Sequence, residues 1–263
     1  MASEVRPGTE YEISLMRESN YRLQKVFAAL EDMIEPGVST WELNCAADQI
    51  IRDLGGVPNF FNYEGYPASI CTSLNEQVVH GIPDSKTVLQ EGDIISIDAG
   101  LIYDGFHSDA ARTWAVGRIS GDARRLIDVT EQCFFEGMKF ALAGNHLNDV
   151  SSAIGDYAEQ AGFGVVRELC GHGIGAAMHQ DPMIMNFRQN EPGIVLEPGM
   201  TLAVEPMITA GGPNIRWLDD GLTVVTLDRS LAAHYENTIL ITDGRPEVLT
   251  MTEEEKARHP EVI

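Results

Sequence analysis

The chain has 263 residues, an apolar share of 44% and a formal charge of −22, from 18 basic against 40 acidic residues. That length allows one large domain or two small ones, and the apolar share supports a substantial core. The acidity disfavours DNA, RNA or an anionic membrane as partner, and neither a basic-then-apolar leader nor a run of 18 apolar residues is present, so a signal peptide and a membrane span are not expected. A cytoplasmic location is the expectation. Cys45, Cys71, Cys133 and Cys170 are widely spaced with no CxxC pair, which suits reduced thiols better than a disulfide framework or a zinc knuckle.

Residues 1–9 read as an N-terminal tail. From Glu10 to Met33 the residues Ile13, Met16, Tyr21, Leu23, Val26, Phe27 and Leu30 recur near helical spacing, and Pro36-Gly37 ends the pattern. Ser39 with Glu42 makes a capping box for a second helix, which turns Leu43, Ala46, Ala47, Ile50, Ile51 and Leu54 inward and stops at Gly55-Gly56. Residues 59–83 are aromatic and turn-rich, with Phe60, Phe61, Tyr63 and Tyr66, a strand-like Ser69 to Ser73, and a closing His80-Gly81-Ile82-Pro83. DIISIDAGLIYDGFHSDAARTW follows from Asp93 to Trp114, and then a second pair of helices, about Gly121 to Ala143 and Asn148 to Ala161. Residues 252–263, TEEEKARHPEVI, read as a frayed, solvated tail. No linker divides the chain, so 1–263 is read as one domain.

The stretch from Asp93 to Trp114 has the pattern of a β-hairpin, because two apolar runs flank Asp104-Gly105, a pair suited to the positive φ angles of a two-residue turn. That turn sets Asp109 opposite Gly100. Side chains alternate faces with period two, so Gly100 shares a face with Asp98 and the two aspartates become diagonal neighbours, roughly 7 Å apart or less. Two such charges repel unless a proton or a cation lies between them. Acids scattered on a solvated sheet face would give the same local pattern.

A shift of 107 positions brings Gly37 onto Gly144, Gly55 onto Gly162, Val88-Leu89 onto Val195-Leu196, Gly92 onto Gly199 and Asp98 onto Glu205. In VLQEGDIISID and VLEPGMTLAVE the residues Val88, Leu89, Gly92, Ile95 and Ile97 match Val195, Leu196, Gly199, Leu202 and Val204 in character, and each segment ends on an acid. One offset that joins a helix pair to a strand points to an internal repeat. The expected architecture is an α+β fold with a pseudo-twofold antiparallel sheet inside and paired helices outside.

The second half adds His172 in CGHGIG, His179, Glu205 at a strand end, and Glu236 within His234 to Thr242. With the hairpin this gives two Asp, two Glu and one His, a hard donor set that suits a pair of divalent ions such as Mn, Fe(II), Co or Zn. A metal pair can activate a hydroxide at neutral pH and polarise a carbonyl. Taken singly, each residue also has a structural reading. Glu205 before Pro206 fits a strand-end surface acid; His172, His80 and His179 fit loop histidines bonded to backbone. Asp219-Asp220 and Glu253 to Glu255 read as solvated charge. GHGIG lacks the G-x-G-x-x-G spacing of a dinucleotide loop.

The segments NEQVVHGIP, DAGLIYDGFHSDAART, GHGIGAAMHQDP, LAVEPM and HYENT, in this order, resemble the methionine aminopeptidase family, specifically its short bacterial type I members, from about Glu10 to Met251. The resemblance implies the pita-bread fold shared with aminopeptidase P, prolidase and creatinase. Those relatives usually carry an extra N-terminal domain, for which this chain has no room. By this likeness Asp98 is a ligand of one metal, Asp109 and Glu236 bridge both, and His172 with Glu205 holds the second. The implied reaction is attack of a metal-activated hydroxide on the first peptide carbonyl, with Glu205 as proton shuttle, His179 at the developing oxyanion and His80 at the scissile nitrogen.

The family's methionine pocket is matched at Tyr63, Tyr66 and Cys71 and departed from at two positions, Met178 where Phe is usual and Leu222 where Trp often is. Both replacements keep the pocket apolar, and Trp217 is a nearby aromatic that could compensate. The resemblance further implies nascent polypeptide N-termini with a small second residue as substrates, transient association with the ribosome, and a monomer. Two readings compete with it: a same-fold peptidase cleaving before proline, and a non-catalytic peptide-binding relative. Chain length speaks against the first and the full set of five candidate ligands against the second.

Overall fold

The computed structural model describes residues 6–260. In chain order its elements are α1 (Glu10–Glu31), α2 (Thr40–Asp53), β1 (Val57–Pro58), β2 (Ile70–Leu74), β3 (Gln77–Val79), β4 (Ile94–Tyr103) and β5 (Phe106–Ala115) in the first half. The second half has α3 (Gly121–Met138), α4 (Leu147–Gln160), β6 (Gly164–Val165), β7 (Gly171–Gly173), β8 (Gln180–Ile184), β9 (Thr201–Val204), β10 (Met207–Thr209), β11 (Ile215–Trp217) and β12 (Val224–Thr226). β13 (Ala232–His234), β14 (Glu236–Leu240), β15 (Glu247–Val248) and α5 (Glu253–Ala257) complete it. The central sheet runs β1-β4-β5-β14-β9-β7-β8, with β2 added to β4 and β15 to β14, and its pairings are antiparallel.

The helices start where the sequence supplies caps. Thr9 with Glu12 and Ser39 with Glu42 form reciprocal capping boxes, which satisfy donors that the first turn of a helix leaves unpaired. α1 and α2 bury Leu23, Val26, Leu30, Leu43 and Ile51 against Ile95, Ile97, Ala99 and Leu101 of β4. α3 and α4 bury Leu126, Phe134, Val150 and Ile154 against Leu202 and Val204 of β9 and Ile239 of β14. Each large apolar side chain so buried contributes about 1.5–3 kcal/mol. Alternation along the strands then turns the other set of residues, Asp98, Gly100, Glu205 and Glu236 among them, to the opposite face of the sheet.

The hairpin register is the one the turn dictates. Asp104 and Gly105 have φ of 48° and 82°, Tyr103 pairs with Phe106, and the ladder sets Asp98 against Ala111 and Gly100 against Asp109. The repeat is equally literal. A shift of 107 carries both ends of α2 onto those of α4, the bridge Ser39–Val88 onto His146–Val195, and the pair Val57–Ile102 onto Gly164–Thr209. Gly37 and Gly144, with φ of 103° and 90°, follow the same correspondence. It breaks at one place: β4 runs unbroken through Asp98, whereas the matching strand stops at Val204 and resumes at Met207. Pro206 lacks the N–H that the ladder needs.

The chain ends differ from the expected tails. Residues 1–5 and 261–263 lie outside the described residues, but Gly8 N–H donates to Gly199 O at 2.9 Å, so the tail read over 1–9 is anchored before Thr9 caps α1. Of the tail read over 252–263, Thr252 and Glu255 form a capping box for α5, and Glu255 pairs with the buried Arg112 at 3.2 Å. The His259 ring stacks on Phe135 at 3.5 Å. Glu255 is therefore not solvated charge; its anchor, Arg112, is too distant in sequence for local framing to reveal it.

Gly100 is required by the close approach of its neighbours: a Cβ there would lie 2.4 Å from Ser108 O and 2.5 Å from the Asn59 side-chain amide. Gly100→Ala is expected to destabilise the protein by about 1–3 kcal/mol in denaturant unfolding, the usual range for an overpacked core position. Unchanged unfolding would show that the hairpin tolerates a shift there.

Candidate metal centre and its pocket

The sheet itself assembles the acids. β4, β5, β14 and β9 are consecutive neighbours, and their registers put Asp98 beside Ala111, and Ala111 beside Glu236. Asn237 pairs with Val204, so one further step brings Glu236 level with Glu205. Asp109 lies two residues from Ala111, and His172 pairs with Ala203, two residues from Glu205. Period-two alternation puts all five side chains on the same face. The Asp98 and Asp109 expectation of a shared face therefore holds.

Asp109, His172 and Glu236 each offer one ligand atom, and these atoms lie within 4.8 Å of one another. His172 Nε2 is 3.8 Å from Asp109 Oδ2 and 3.7 Å from Glu205 Oε1. The His172 Nδ1 contacts Gly173 O at 3.0 Å; a carbonyl can only accept, so Nδ1 carries the proton and Nε2 keeps its lone pair toward the acids. Burial holds the imidazole pKa down to about 4. The carboxyls move the other way. Burial raises Asp98, Asp109, Glu205 and Glu236 above the usual carboxylate range, and Asp109, Glu205 and Glu236 are raised further by neighbouring acids. Arg112, behind the sheet, opposes the rise at Glu236. Asp98 Oδ1 and Asp109 Oδ1 are buried with no hydrogen-bond partner among the described residues. Hard oxygen donors that burial and mutual repulsion leave unsatisfied, joined by one imidazole lone pair, fit divalent cations.

Beside this cluster a cavity of about 290 Å³ is lined by all five of these residues and by His80, His179, Tyr63, Tyr66, Cys71, Met178 and Leu222. The structure thus gathers every residue singled out in the sequence around one hollow. Phe60, Tyr66, Ala68, Cys71 and Met178 form a buried apolar cluster, with Tyr63, Ile82 and Leu222 packed against it. Trp217, half exposed, also lines the cavity. The Tyr63 hydroxyl meets His179 Nδ1 at 2.7 Å, and the His179 ring stands edge-on to His172 at 4.4 Å. With the phenol as donor, the proton of a neutral His179 sits on Nε2. His80 adopts a left-handed φ of 60° at the rim.

Several residues correct or extend the sequence reading. Glu205 is not a surface acid: 12% of its side chain is exposed. Asp220 is not simply solvated, since it accepts from Leu222 N, Thr223 N and the Thr223 hydroxyl and shapes the loop that carries Leu222. Phe60 was not among the expected pocket residues, although it stands in the aromatic run that supplies Tyr63 and Tyr66. His234 was missed as well. It is buried with Nε2 3.7 Å from Glu205 Oε2, and its spacing of two from Glu236 was the available signal.

Residues 14–243 match the family model of metallopeptidase family M24. The chain is 48% identical to the methionine aminopeptidase of Clostridium acetobutylicum over 242 residues, covering 92% of this chain and 97% of that protein. The crystal structure of methionine aminopeptidase from Rickettsia prowazekii superposes with a TM-score of 0.92 at 38% identity, over 94% of this chain and 100% of the other. A prolidase from Pyrococcus furiosus shares the fold at a TM-score of 0.74 and 20% identity; 94% of this chain matches 66% of that longer one. The chain belongs to metallopeptidase family M24 and, within its pita-bread fold, to the methionine aminopeptidases.

Proposed function

We propose that the protein removes the N-terminal methionine from nascent polypeptides whose second residue is small. The observation that carries this reading is the apolar hollow of Phe60, Tyr66, Cys71 and Met178 opening directly onto the cluster of Asp98, Asp109, His172, Glu205 and Glu236. A flexible thioether side chain fills such a space well, and its peptide carbonyl then lies at the acids.

Asp98, Asp109 and Glu236 would hold one divalent ion and Asp109, Glu236, His172 and Glu205 a second, with Asp109 and Glu236 shared; Mn, Fe(II), Co and Zn all suit this donor set. When bound, such ions supply Lewis acidity and lower the pKa of water toward neutrality. The chain's own groups do the rest. Glu205 takes a proton from the attacking water and returns it to the leaving amine as the first peptide bond breaks. His179, with Tyr63 on Nδ1, presents Nε2–H to the oxygen that gains charge. His80 contacts the scissile nitrogen. The free amino group of the substrate sits among the acids, so an N-acylated peptide is excluded. Action on nascent chains, a cytoplasmic location, transient contact with the ribosome and a monomeric state belong to the same proposal; among the described residues no helix is long and apolar enough to cross a membrane.

Methionine release from Met-Ala-Ser, with little from Met-Lys-Ser and no cleavage of Ala-Pro peptides, is the expected outcome for chelator-treated protein reloaded with each metal in turn. Absence of release with all four metals would refute the reading. Glu205→Gln is expected to lower kcat about 10²–10⁴-fold while the fold persists, the range for loss of a general acid–base.

Metal removal has a pH signature. The folded pKa of Asp98 is raised to about 7 by burial. A carboxyl raised in this way stabilises the folded state fully below the unfolded value of about 4 and loses that contribution as pH rises through its folded pKa. The metal-free protein should therefore melt at progressively lower temperature from about pH 4 to pH 7 as far as these acids decide it, and saturating Mn(II) should widen the Tm gap over that interval. A gap independent of pH would contradict shared carboxylate ligation.

A further inference from the structure

Glu205 is bracketed by two imidazoles, one for each carboxylate oxygen. Oε1 faces His172 Nε2 at 3.7 Å, and Oε2 faces His234 Nε2 at 3.7 Å. His234 Nε2 also lies 3.9 Å from Glu236 Oε2. The two rings differ in what their other nitrogen does. His172 Nδ1 donates to Gly173 O, which frees its Nε2 lone pair, whereas neither ring nitrogen of the buried His234 has a hydrogen-bond partner among the described residues, and only its Nε2 has carboxylates within 4 Å. A buried N–H without an acceptor is rarer and costlier than a buried acceptor without a donor, so the proton of His234 belongs on Nε2, toward the two acids. A ring that directs N–H at a carboxylate is a donor to it and has no lone pair there for a cation.

The ring also has a fixed mount. His234 N–H donates to the Thr113 hydroxyl at 2.9 Å, that hydroxyl donates to His234 O at 2.8 Å, and His234 pairs with Met207 across β13 and β10. Its side chain is 2% exposed. The separations of 3.7 and 3.9 Å exceed a hydrogen bond, and closing either to bonding length takes a movement of less than about 1 Å.

On the reading that Glu205 and Glu236 hold metal, we infer that His234 is a positioning residue whose Nε2–H fixes the outer oxygens of both carboxylates, so that their inner oxygens stay aimed at the ions. Glu205 gains most from such a partner, since a proton shuttle must hold one orientation while its charge changes. The donor stands outside the set of metal ligands and sets how tightly that set holds.

The test uses the full chain, stripped with chelator and titrated with Co(II) by calorimetry and visible absorption. His234→Leu and His234→Met, which remove the donor, are expected to bind Co(II) about 10–100-fold more weakly, the usual loss for an outer-shell partner of a metal ligand. The metal-free forms should melt near the parent, and whichever of the two folds suffices. His234→Gln, whose side-chain amide keeps an N–H, is expected to restore affinity to within a few-fold with an unchanged Co(II) spectrum. Equal loss in the Gln variant with an altered spectrum would make His234 a direct ligand and overturn the inference. Unchanged affinity in all variants would overturn it too, and failure of the parent protein to bind Co(II) would instead sink the metal site on which it rests.

Discussion

Four carboxyl groups converge on one face of one sheet, largely out of water, and the rest of the molecule has to hold them there. Burial raises the proton affinity of all four, and neighbouring acids add to it at Asp109, Glu205 and Glu236, so the cluster holds repulsion that a loose scaffold would relieve by opening. The scaffold resists through the ladder. Asp98 is held between β2 and β5, opposite Cys71 on one side and Ala111 on the other, and the Asp109 peptide exchanges hydrogen bonds with the Thr238 hydroxyl on the neighbouring strand. Behind the sheet, Arg112 donates to Ala111 O and Glu236 O and to the Asn237 side chain. One buried guanidinium thus clamps β5 to β14 beneath the acids and supplies a positive charge from the far side.

The same strands serve two surfaces. In β4 the residues Ile95, Ile97, Ala99 and Leu101 pack under α1 and α2, while Asp98 and Gly100 face the site; in β9 Leu202 and Val204 face the helices and Glu205 does not. A strand with one apolar face and one acidic face cannot slip by a single residue without turning its acids into the helix-packed core and its apolar side chains into the site, so the register that makes the core also makes the cluster.

Much of this was legible in the sequence because the signals were local or periodic. Asp104-Gly105 set the hairpin register, and paired glycines with positive φ marked the repeat. Glu205 next to a proline looked like a surface acid, and its correspondence with Asp98 and the family likeness argued otherwise. What escaped depended on distant partners. The end of the chain carried a capping box at Thr252 and Glu255, but its anchor is Arg112, with which no periodicity connects it. His234 had a local clue in its spacing from Glu236. Its importance depends on Glu205, which arrives from another strand.

The frame is duplicated, but the bracing of its two acids is not. Asp98 sits in the middle of a ten-residue strand with partners on both sides. Its counterpart, one methylene longer, occupies a gap between two short strands, where Pro206 can give no ladder bond and the Glu205 carbonyl is tethered by the Asn186 amide at 2.9 Å. The two copies of one unit therefore hold their acids by different means. The first acid is braced by a strand on either side, whereas the second, the proposed proton shuttle, stands at a break in the ladder and is tied there by one side-chain amide.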